Sequence, residues 1–353
     1  MENLNTRYND YYKIDVIKFI AAVLIIASHC LPIFGKESLD LYYGQWFFRF
    51  AVPFFFISIG FFLNKPFNLN TEKNNINNIF KKRIIKLLNL YIISTLIYFP
   101  IIIYENNSIP QILYYLFFGY RHLWFIINSI YGILLLWLFI KIKDVHKLII
   151  ILILYLAGVF LSSYLPLFCN DSFVKINNTL QYLGTVRNGL FFAFPLITIG
   201  YLIKANFDKI VNINSKMIIS LLILFIILSF FESFIIEESF KTMYLTDEYL
   251  TLDLTIMMPI VSVLLFIICI KNKSNNNSII KINSKLFRKM SMIMYVIHVI
   301  IIIIFDFIIN LISISVIPLI RCLLIIFLTI FISYIIAKIN YFKNNWKKNK
   351  IKV

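Results

Sequence analysis

The chain has 353 residues, of which 60% are hydrophobic, and it carries a formal net charge of +17. Soluble domains are typically about 45–50% apolar, so this composition excludes an ordinary soluble domain and indicates a membrane protein with several spans. The basic residues lie in short loops between apolar runs, so their excess does not indicate a nucleic-acid surface. The cysteines have no CxxC spacing, which argues against a zinc site and a disulfide framework. They are Cys30, Cys169, Cys269 and Cys322.

Apolar runs along the chain predict ten transmembrane helices and therefore an all-α integral membrane fold. The predicted spans cover roughly residues 14–34, 44–63, 84–103, 123–140, 147–165, 188–203, 217–235, 251–270, 291–311 and 314–337. Most of them have about the 20 residues that a helix needs to cross a bilayer. The first run is too long for a cleavable signal peptide, so we expect it to be retained as a helix.

The loops between these spans alternate in charge. Lysine and arginine concentrate before the first span, after every second span and after the tenth, while the 236–250 loop is acidic. The positive-inside rule therefore predicts that both the N and C termini are cytoplasmic. We predict a ten-helix membrane domain over residues 1–340 and a basic cytoplasmic tail over residues 341–353.

The first predicted span contains Asp15, Lys18 and His29. Ionisable groups inside a span are costly, so each is a functional-site hypothesis. Lys18 and His29 are eleven residues apart, which places them on one helix face at a separation of roughly 16 Å. Lys18 is then near the cytoplasmic side and His29 in the outer half. An alternative is that Lys18 only pairs locally with Asp15.

Other spans also place polar side chains in or near their outer halves. These residues are Arg49, Arg121, His122, Arg187, Glu232, Asp253, His298 and Asp306. Arg49 is flanked by apolar residues and cannot be neutralised. Arg49 and His29 are therefore stronger catalytic candidates than the other polar residues.

Structural interpretations stay open for several of these residues. Arg121 and Arg187 are also compatible with interfacial side chains, and His122 is compatible with an aromatic belt beside Trp124. His298 is equally compatible with a packed neutral histidine. Arg321, in the tenth span, is expected to pair with Asp306 or to reach the surface.

These residue types support a limited chemistry. Histidine can accept and return a proton near neutral pH, and arginine can hold an anion or a developing oxyanion. The sequence contains no HExxH, GxSxG, P-loop or GxGxxG motif, so we predict no metal site and no bound cofactor. The residues alone predict a proton-accepting histidine with cationic binding groups.

Five segments form a specific pattern in chain order. They are YKIDVIKFIAAVLIIASH (12–29), RFAVPFFFISIGFFL (49–63), HLWFI (122–126), VRNGLFFAFPLITIGYLI (186–203) and MSMIMYVIH (290–298). Together they resemble the acyltransferase-3 family of integral membrane acyltransferases, most closely the membrane portion of VanT-type serine/alanine racemases. The family's basic residue, ten-residue spacer and histidine map to Lys18 and His29, with lysine where arginine is usual. Of the family's two arginines three apart, Arg49 is present and Trp46 occupies the earlier position.

The resemblance implies transfer of an acyl group, expected to be acetyl, from cytoplasmic acyl-coenzyme A to a hydroxyl of a cell-envelope glycan. The location would be a bacterial plasma membrane, with the lipid bilayer, acyl-coenzyme A and a glycan or small hydroxyl acceptor as partners. It implies that His29 is the catalytic base, that Arg49 stabilises negative charge and that Lys18 contacts a coenzyme A phosphate. The residues expected to bind the acceptor are Arg187, Glu232, His122 and His298.

The racemase-like segments leave a second function open, a membrane transporter of serine or another small amino acid. Arg49 would then bind the carboxylate, and Glu232 or Asp253 the ammonium group. The sequence lacks the inverted repeats and paired interrupted helices that many transporters show. The acyltransferase is therefore the preferred interpretation.

Overall fold

A computed structural model describes residues 11–31, 33, 48–64, 73–105, 108–168, 186–244, 254–271 and 278–350. Within these ranges the chain is helical apart from short turns, and no residue lies in a strand. The helices are α1 Tyr12–His29, α2 Ala51–Leu63, α3 Lys73–Glu105, α4 Ile109–Phe118, α5 Trp124–Leu138, α6 Asp144–Val159, α7 Phe194–Ala205, α8 Phe207–Val211, α9 Ser215–Tyr244, α10 Met257–Lys271, α11 Ser278–Ile312 and α12 Pro318–Lys350. Trp46, Cys169 and Asp253 lie outside the described residues, as do the starts of the second and eighth predicted spans.

Each of the ten predicted spans overlaps a helix. Among the described residues, the segments that are long and apolar enough to cross a membrane are Ile76–Glu105, Arg121–Leu138, Asp144–Tyr164, Ser215–Ser239, Ser284–Ile312 and Pro318–Ile339. Shorter apolar helices include Ala51–Leu63, Gly189–Ala205 and Met257–Lys271. The all-helical membrane fold is confirmed, whereas the number of ten crossings and the cytoplasmic location of the termini stay predictions.

Helices also extend into segments that the sequence assigned to loops and tail. The helix α9 continues to Tyr244 and so includes the described part of the predicted 236–250 loop. The backbone of α12 remains helical to Lys350, through most of the predicted tail.

The helix α4 lies where the sequence predicts only an outer loop. Its 10 residues are too few to cross a bilayer, and none of its side chains is buried. The phenol of Tyr91 donates to the carbonyls of Tyr115 (3.2 Å) and Leu116 (2.8 Å), and Tyr131 donates to that of Phe117 (2.9 Å). Carbonyls in the last turn of a helix have no partner within that helix. Side chains of α3 and α5 therefore satisfy the end of α4.

Helix contacts divide the chain into two compact units. The first consists of residues 1–51 and 269–353, and its main helices are α1, α11 and α12. In this unit α1 and α12 both pack on α11. The buried face of α1 includes Ala21 and Ala22, whose small side chains allow close approach of helix backbones.

Within the first unit, α1 and α11 run in the same direction. Asp15, near the start of α1, binds Arg288 in the first part of α11, and His29 at the end of α1 contacts His298 farther along α11. This shared direction agrees with the loop charges, which assign the same direction to the first and ninth spans. The chain then reverses at Ser313, whose φ is +55°, and α12 returns antiparallel to α11.

The second unit, residues 52–268, contains a close helix crossing built on glycine. A Cβ atom added at Gly60 of α2 would lie 1.8 Å from the carbonyl oxygen of Ile197 in α7. A Cβ added at Gly200 of α7 would lie 1.9 Å from the carbonyl oxygen of Ile57 in α2. The two backbones therefore touch, which only glycine at both positions permits.

Replacing Gly60 by alanine is expected to force α2 and α7 apart and to destabilise the protein by about 3 kcal/mol, at the upper end of the usual range for overpacking. The measurement is the thermal midpoint of purified protein in detergent. Ser58→Ala on the same helix is the matched control, because the buried Ser58 hydroxyl has no hydrogen-bond partner among the described residues. A Gly60→Ala midpoint as high as that of Ser58→Ala would contradict the crossing.

Candidate active site

The residues predicted to act in catalysis or binding are distributed over both units. The first unit contains Lys18, His29, Arg49 and His298, and the second contains His122, Arg187 and Glu232. In the first unit the structure brings His29 and His298 together, whereas Lys18 lies toward the opposite end of α1 from His29. Arg49 lies two residues before the start of α2, and its side chain is partly buried.

A pair of histidines lies at the end of α1. The ring centroids of His29 and His298 are 5.1 Å apart, and the ring planes are tilted by 47°. His29 is exposed, whereas His298 is fully buried. The Nδ1 atom of His298 is 3.1 Å from the carbonyl oxygen of Met294 and 2.8 Å from that of Tyr295. An exposed imidazole backed by a buried one can exchange a proton with a bound substrate.

An ion pair lies beside the histidine pair. Arg321 donates to Asp306 from Nε (2.7 Å) and from Nη2 (2.6 Å), which confirms the pairing predicted from the sequence. The Nη1 atom of Arg321 also donates to the carbonyl of Cys30 at 3.1 Å. The side chains of Cys30 and Cys322 are both buried. Arg321 therefore ties the residue that follows His29 to both α11 and α12.

A second ion pair holds the other end of α1. Arg288 donates to Asp15 from Nε (2.9 Å to Oδ1) and from Nη2 (2.6 Å to Oδ2), in the two-pronged geometry that favours arginine over lysine. The side chain of Asp15 is 4% exposed and that of Arg288 is 36% exposed. The sequence left open a local pairing of Asp15 with Lys18 and did not identify Arg288 as a partner. An aspartate inside a span needs a positively charged partner, but nothing in the sequence indicates that this partner is Arg288, 273 residues away.

His122 belongs to the packed interior of the second unit. It is 2% exposed, and its ring meets that of Tyr98 edge-on at a centroid distance of 5.0 Å. This burial does not fit the aromatic-belt interpretation, in which the ring lies at the membrane–water interface.

A strained turn precedes His122. Gly119 has a φ of +91°, and Arg121 has a φ of +44°, which is uncommon outside glycine. Glu105 accepts hydrogen bonds from the Tyr120 phenol and from Arg121 Nη2, the latter at 2.8 Å. Burial, together with the bond to Glu105, raises the pKa of Tyr120, so the phenol remains a neutral donor. Arg121 is exposed and ion-paired with Glu105.

Arg187 lies over an aromatic ring at the start of the helical segment that contains α7. Its guanidinium carbon is 5.0 Å from the centroid of Trp124, a cation–π geometry, and its carbonyl accepts from Asn128 at 3.2 Å. The next residue, Asn188, caps the segment by accepting the N–H groups of Leu190 and Phe191, both at 2.9 Å. The side chain of Arg187 is therefore positioned by Trp124, and its backbone is held by Asn128 and by the capped segment that follows.

Glu232 holds the beginning of α10. Its carboxylate accepts the backbone N–H groups of Ile256 (2.6 Å) and Met257 (2.9 Å) and the hydroxyl of Tyr164 (3.1 Å). The first N–H groups of a helix have no partner within the helix and favour a negative charge. Whether Glu232 also binds substrate stays a prediction; the contacts that the structure gives it are those of a capping group.

The residues before α10 are not helical, and side chains of α6 and of the π-helical turn that follows it satisfy their backbone. Tyr155 donates to the carbonyl of Thr255 at 2.7 Å, and Ser163 donates to that of Leu254. Leu254 and Thr255 are 1% and 3% exposed. Non-helical backbone at membrane depth requires such partners, because lipid supplies none.

Replacing Glu232 by alanine is expected to destabilise the protein by about 2 kcal/mol, since two N–H groups and a phenol lose their acceptor. Tyr164→Phe removes one of the three bonds and is expected to cost about 1 kcal/mol. Thermal midpoints in detergent measure both. A loss for Tyr164→Phe that equals or exceeds that for Glu232→Ala would contradict the capping role.

The chain is similar to several known proteins. The acyltransferase-3 family, described as an acyltransferase domain, matches residues 11–338. An amino-acid racemase of Enterococcus faecalis is 32% identical over 206 residues, which cover 55% of this chain and 28% of that protein. A second amino-acid racemase of Enterococcus faecalis is 27% identical over 312 residues, covering 82% of this chain and 41% of that protein. A serine/alanine racemase of Enterococcus gallinarum is 28% identical over 211 residues, covering 56% and 29% respectively.

No solved structure matches the chain. The matched regions span less than half the length of each of these three relatives. The apolar helices define a multi-pass membrane protein. The chain belongs to the acyltransferase-3 family, whose match covers nearly all of it. The resemblance drawn from the five segments is therefore confirmed, and the family supports an acyltransferase enzyme.

Proposed function

We propose that the protein transfers an acyl group, most simply acetyl, from cytoplasmic acyl-coenzyme A to a hydroxyl of a cell-envelope glycan or a similar acceptor. The observation that carries this proposal is the exposed His29 beside the buried His298, in a chain that the acyltransferase-3 family matches over residues 11–338. The donor side is proposed to be the cytoplasmic face of a bacterial plasma membrane, and the basic loops support this orientation.

The reaction needs a base, because an alcohol is a weak nucleophile. His29 takes the proton of the acceptor hydroxyl as its oxygen bonds to the acyl carbon. The thioester C–S bond breaks, and the proton passes to the coenzyme A thiolate. Arg49 stabilises the negative charge that develops on the acyl oxygen. Lys18, toward the opposite end of α1, contacts a coenzyme A phosphate.

Acceptor binding is proposed for Arg187, Glu232 and His122. Arg187 is the leading contact, since its guanidinium is positioned by Trp124 and by its own backbone bonds. Glu232 and His122 are proposed to shape the acceptor site indirectly. Glu232 caps α10, and His122 packs on Tyr98.

A second candidate is transport of serine or another small amino acid. The observation that favours it is that all three relatives described above carry racemase names. In this case Arg49 would bind the substrate carboxylate, and no acyl donor would be consumed.

One experiment separates the two functions. Purified protein is reconstituted in liposomes that contain acetyl-labelled acetyl-coenzyme A, with a cell-wall glycan preparation outside, and label in the glycan is counted. The acyltransferase predicts label in the glycan that requires His29. Serine flux without transfer of label would establish the transporter instead.

A further inference from the structure

The tautomer of His298 follows from its neighbours. Its Nδ1 atom faces the carbonyl oxygens of Met294 and Tyr295, which can only accept hydrogen bonds. Nδ1 must therefore carry the proton and donate it. In the neutral ring, Nε2 is then an acceptor, because only one nitrogen bears hydrogen.

His298 is the inner member of the histidine pair. It is fully buried, whereas His29 is exposed at the end of α1. With the ring centroids 5.1 Å apart, a small rotation of the exposed His29 ring points one of its nitrogens at Nε2 of His298. Catalytic hydrogen bonds commonly tighten in this way only when substrate is bound.

The surroundings of the pair hold both rings in place. Arg321 reaches the carbonyl of Cys30, directly after His29, while its charge is compensated by Asp306. The ring of Tyr295 lies 6.1 Å from that of His298. The outer end of α1 is therefore fixed relative to α11, and the remaining freedom is largely rotation of the His29 side chain.

We propose that His298 is a positioning residue for His29. Nε2 of His298 accepts the N–H of His29, so the other ring nitrogen of His29 is the unprotonated one and faces the acceptor hydroxyl. When His29 takes the hydroxyl proton, the positive charge on its ring is stabilised by Nε2 of His298, while the Nδ1 proton of His298 stays on Nδ1 and is donated to the Met294 and Tyr295 carbonyls. The logic is that of a catalytic triad, in which a third group orients the base. This inference rests on the proposed function of His29.

Two substitutions of His298 test the two nitrogens separately. His298→Asn keeps an N–H donor near the Nδ1 position but removes the acceptor at Nε2. His298→Gln places its carbonyl oxygen near the Nε2 position. We expect His298→Asn to lower kcat for acetyl transfer from acetyl-coenzyme A by about 10²-fold, with the KM for acetyl-coenzyme A unchanged. His298→Gln is expected to retain at least about tenfold more activity than His298→Asn.

A second readout does not depend on turnover. Diethyl pyrocarbonate acylates the unprotonated imidazole nitrogen, and mass spectrometry of the peptide that contains His29 measures the rate. The rate at His29 should fall about tenfold in His298→Asn and recover in His298→Gln, in parallel with kcat. Phe307→Leu on the exposed face of α11 is the control, since Phe307 is 65% exposed.

The outcomes separate this inference from the proposed function. If the wild-type protein transfers no acetyl group, the proposed function fails, and if His29→Ala retains full acetyl transfer, the catalytic role of His29 fails. In both cases the diethyl pyrocarbonate rates still test the pairing. If His29→Ala is inactive while His298→Asn keeps the wild-type kcat and the wild-type His29 modification rate, only the pairing is overturned. Equal losses in His298→Asn and His298→Gln, accompanied by equally lowered thermal midpoints, would show that His298 is a packing residue and would likewise overturn it.

Discussion

Replacing His29 by alanine is expected to lower the rate of acyl transfer by about 10²–10⁴-fold, the range that general acid–base catalysis contributes. Without the imidazole, the acceptor hydroxyl has no group to take its proton as the new ester bond forms. The fold should survive, because the His29 side chain is exposed at the last residue of α1. The measurement is the initial rate of label transfer in liposomes at saturating acetyl-coenzyme A.

The neighbouring residue provides the matched control. The hydroxyl of Ser28 donates to the carbonyl of Ile25 within the same helix at 2.8 Å, so Ser28→Ala should leave the rate within about twofold of wild type. Substitution of His29 by glutamine should be nearly as harmful as alanine, since an amide does not accept a proton at neutral pH. Turnover by His29→Ala at the wild-type rate would remove His29 from the chemistry.

The second large effect concerns the ion pair between Asp15 and Arg288. Arg288→Ala is expected to destabilise the protein by about 4 kcal/mol, because it leaves a buried carboxylate without a counter-charge. Asp15→Ala should cost less, about 3 kcal/mol, since the guanidinium that it leaves behind is partly exposed. Thermal midpoints of the purified variants in detergent test the order of the two losses.

A double replacement isolates the charge from the packing. Combining Asp15→Leu with Arg288→Met removes both charges and retains apolar volume, so it should recover most of the lost stability. Arg288→Lys should recover less, because an ammonium group cannot bind both carboxylate oxygens in the observed geometry. A double variant that is no more stable than Arg288→Ala would contradict the electrostatic explanation.

The features that could be predicted from the sequence are those whose physical signal is local. Long apolar runs identified a helix at every predicted span, because a bilayer selects for length and hydrophobicity. The pairing of Arg321 with Asp306 was also predictable, since their helices are adjacent in the chain and each charge needs an opposite one. His29 was singled out for the same reason, as an ionisable group in an apolar run.

The remaining features depend on contacts between distant segments. Hydropathy gives the depth of Glu232 but not the helix start that it caps, because that start lies on another helix. Nothing local to α11 shows that His298 lies against His29. The helix α4 was missed for a different reason: its 10 residues fall below the length that identifies a span, and its carbonyl end is satisfied by tyrosines of other helices.

The distance in sequence between Asp15 and Arg288 has a consequence for biogenesis. The two residues are 273 positions apart, so at about 5–20 residues per second the first helix waits roughly 15–55 s for its partner to be synthesised. During that interval the nascent chain carries an uncompensated carboxylate. The ion pair that holds the first part of α1 is therefore completed only after α11 has been synthesised.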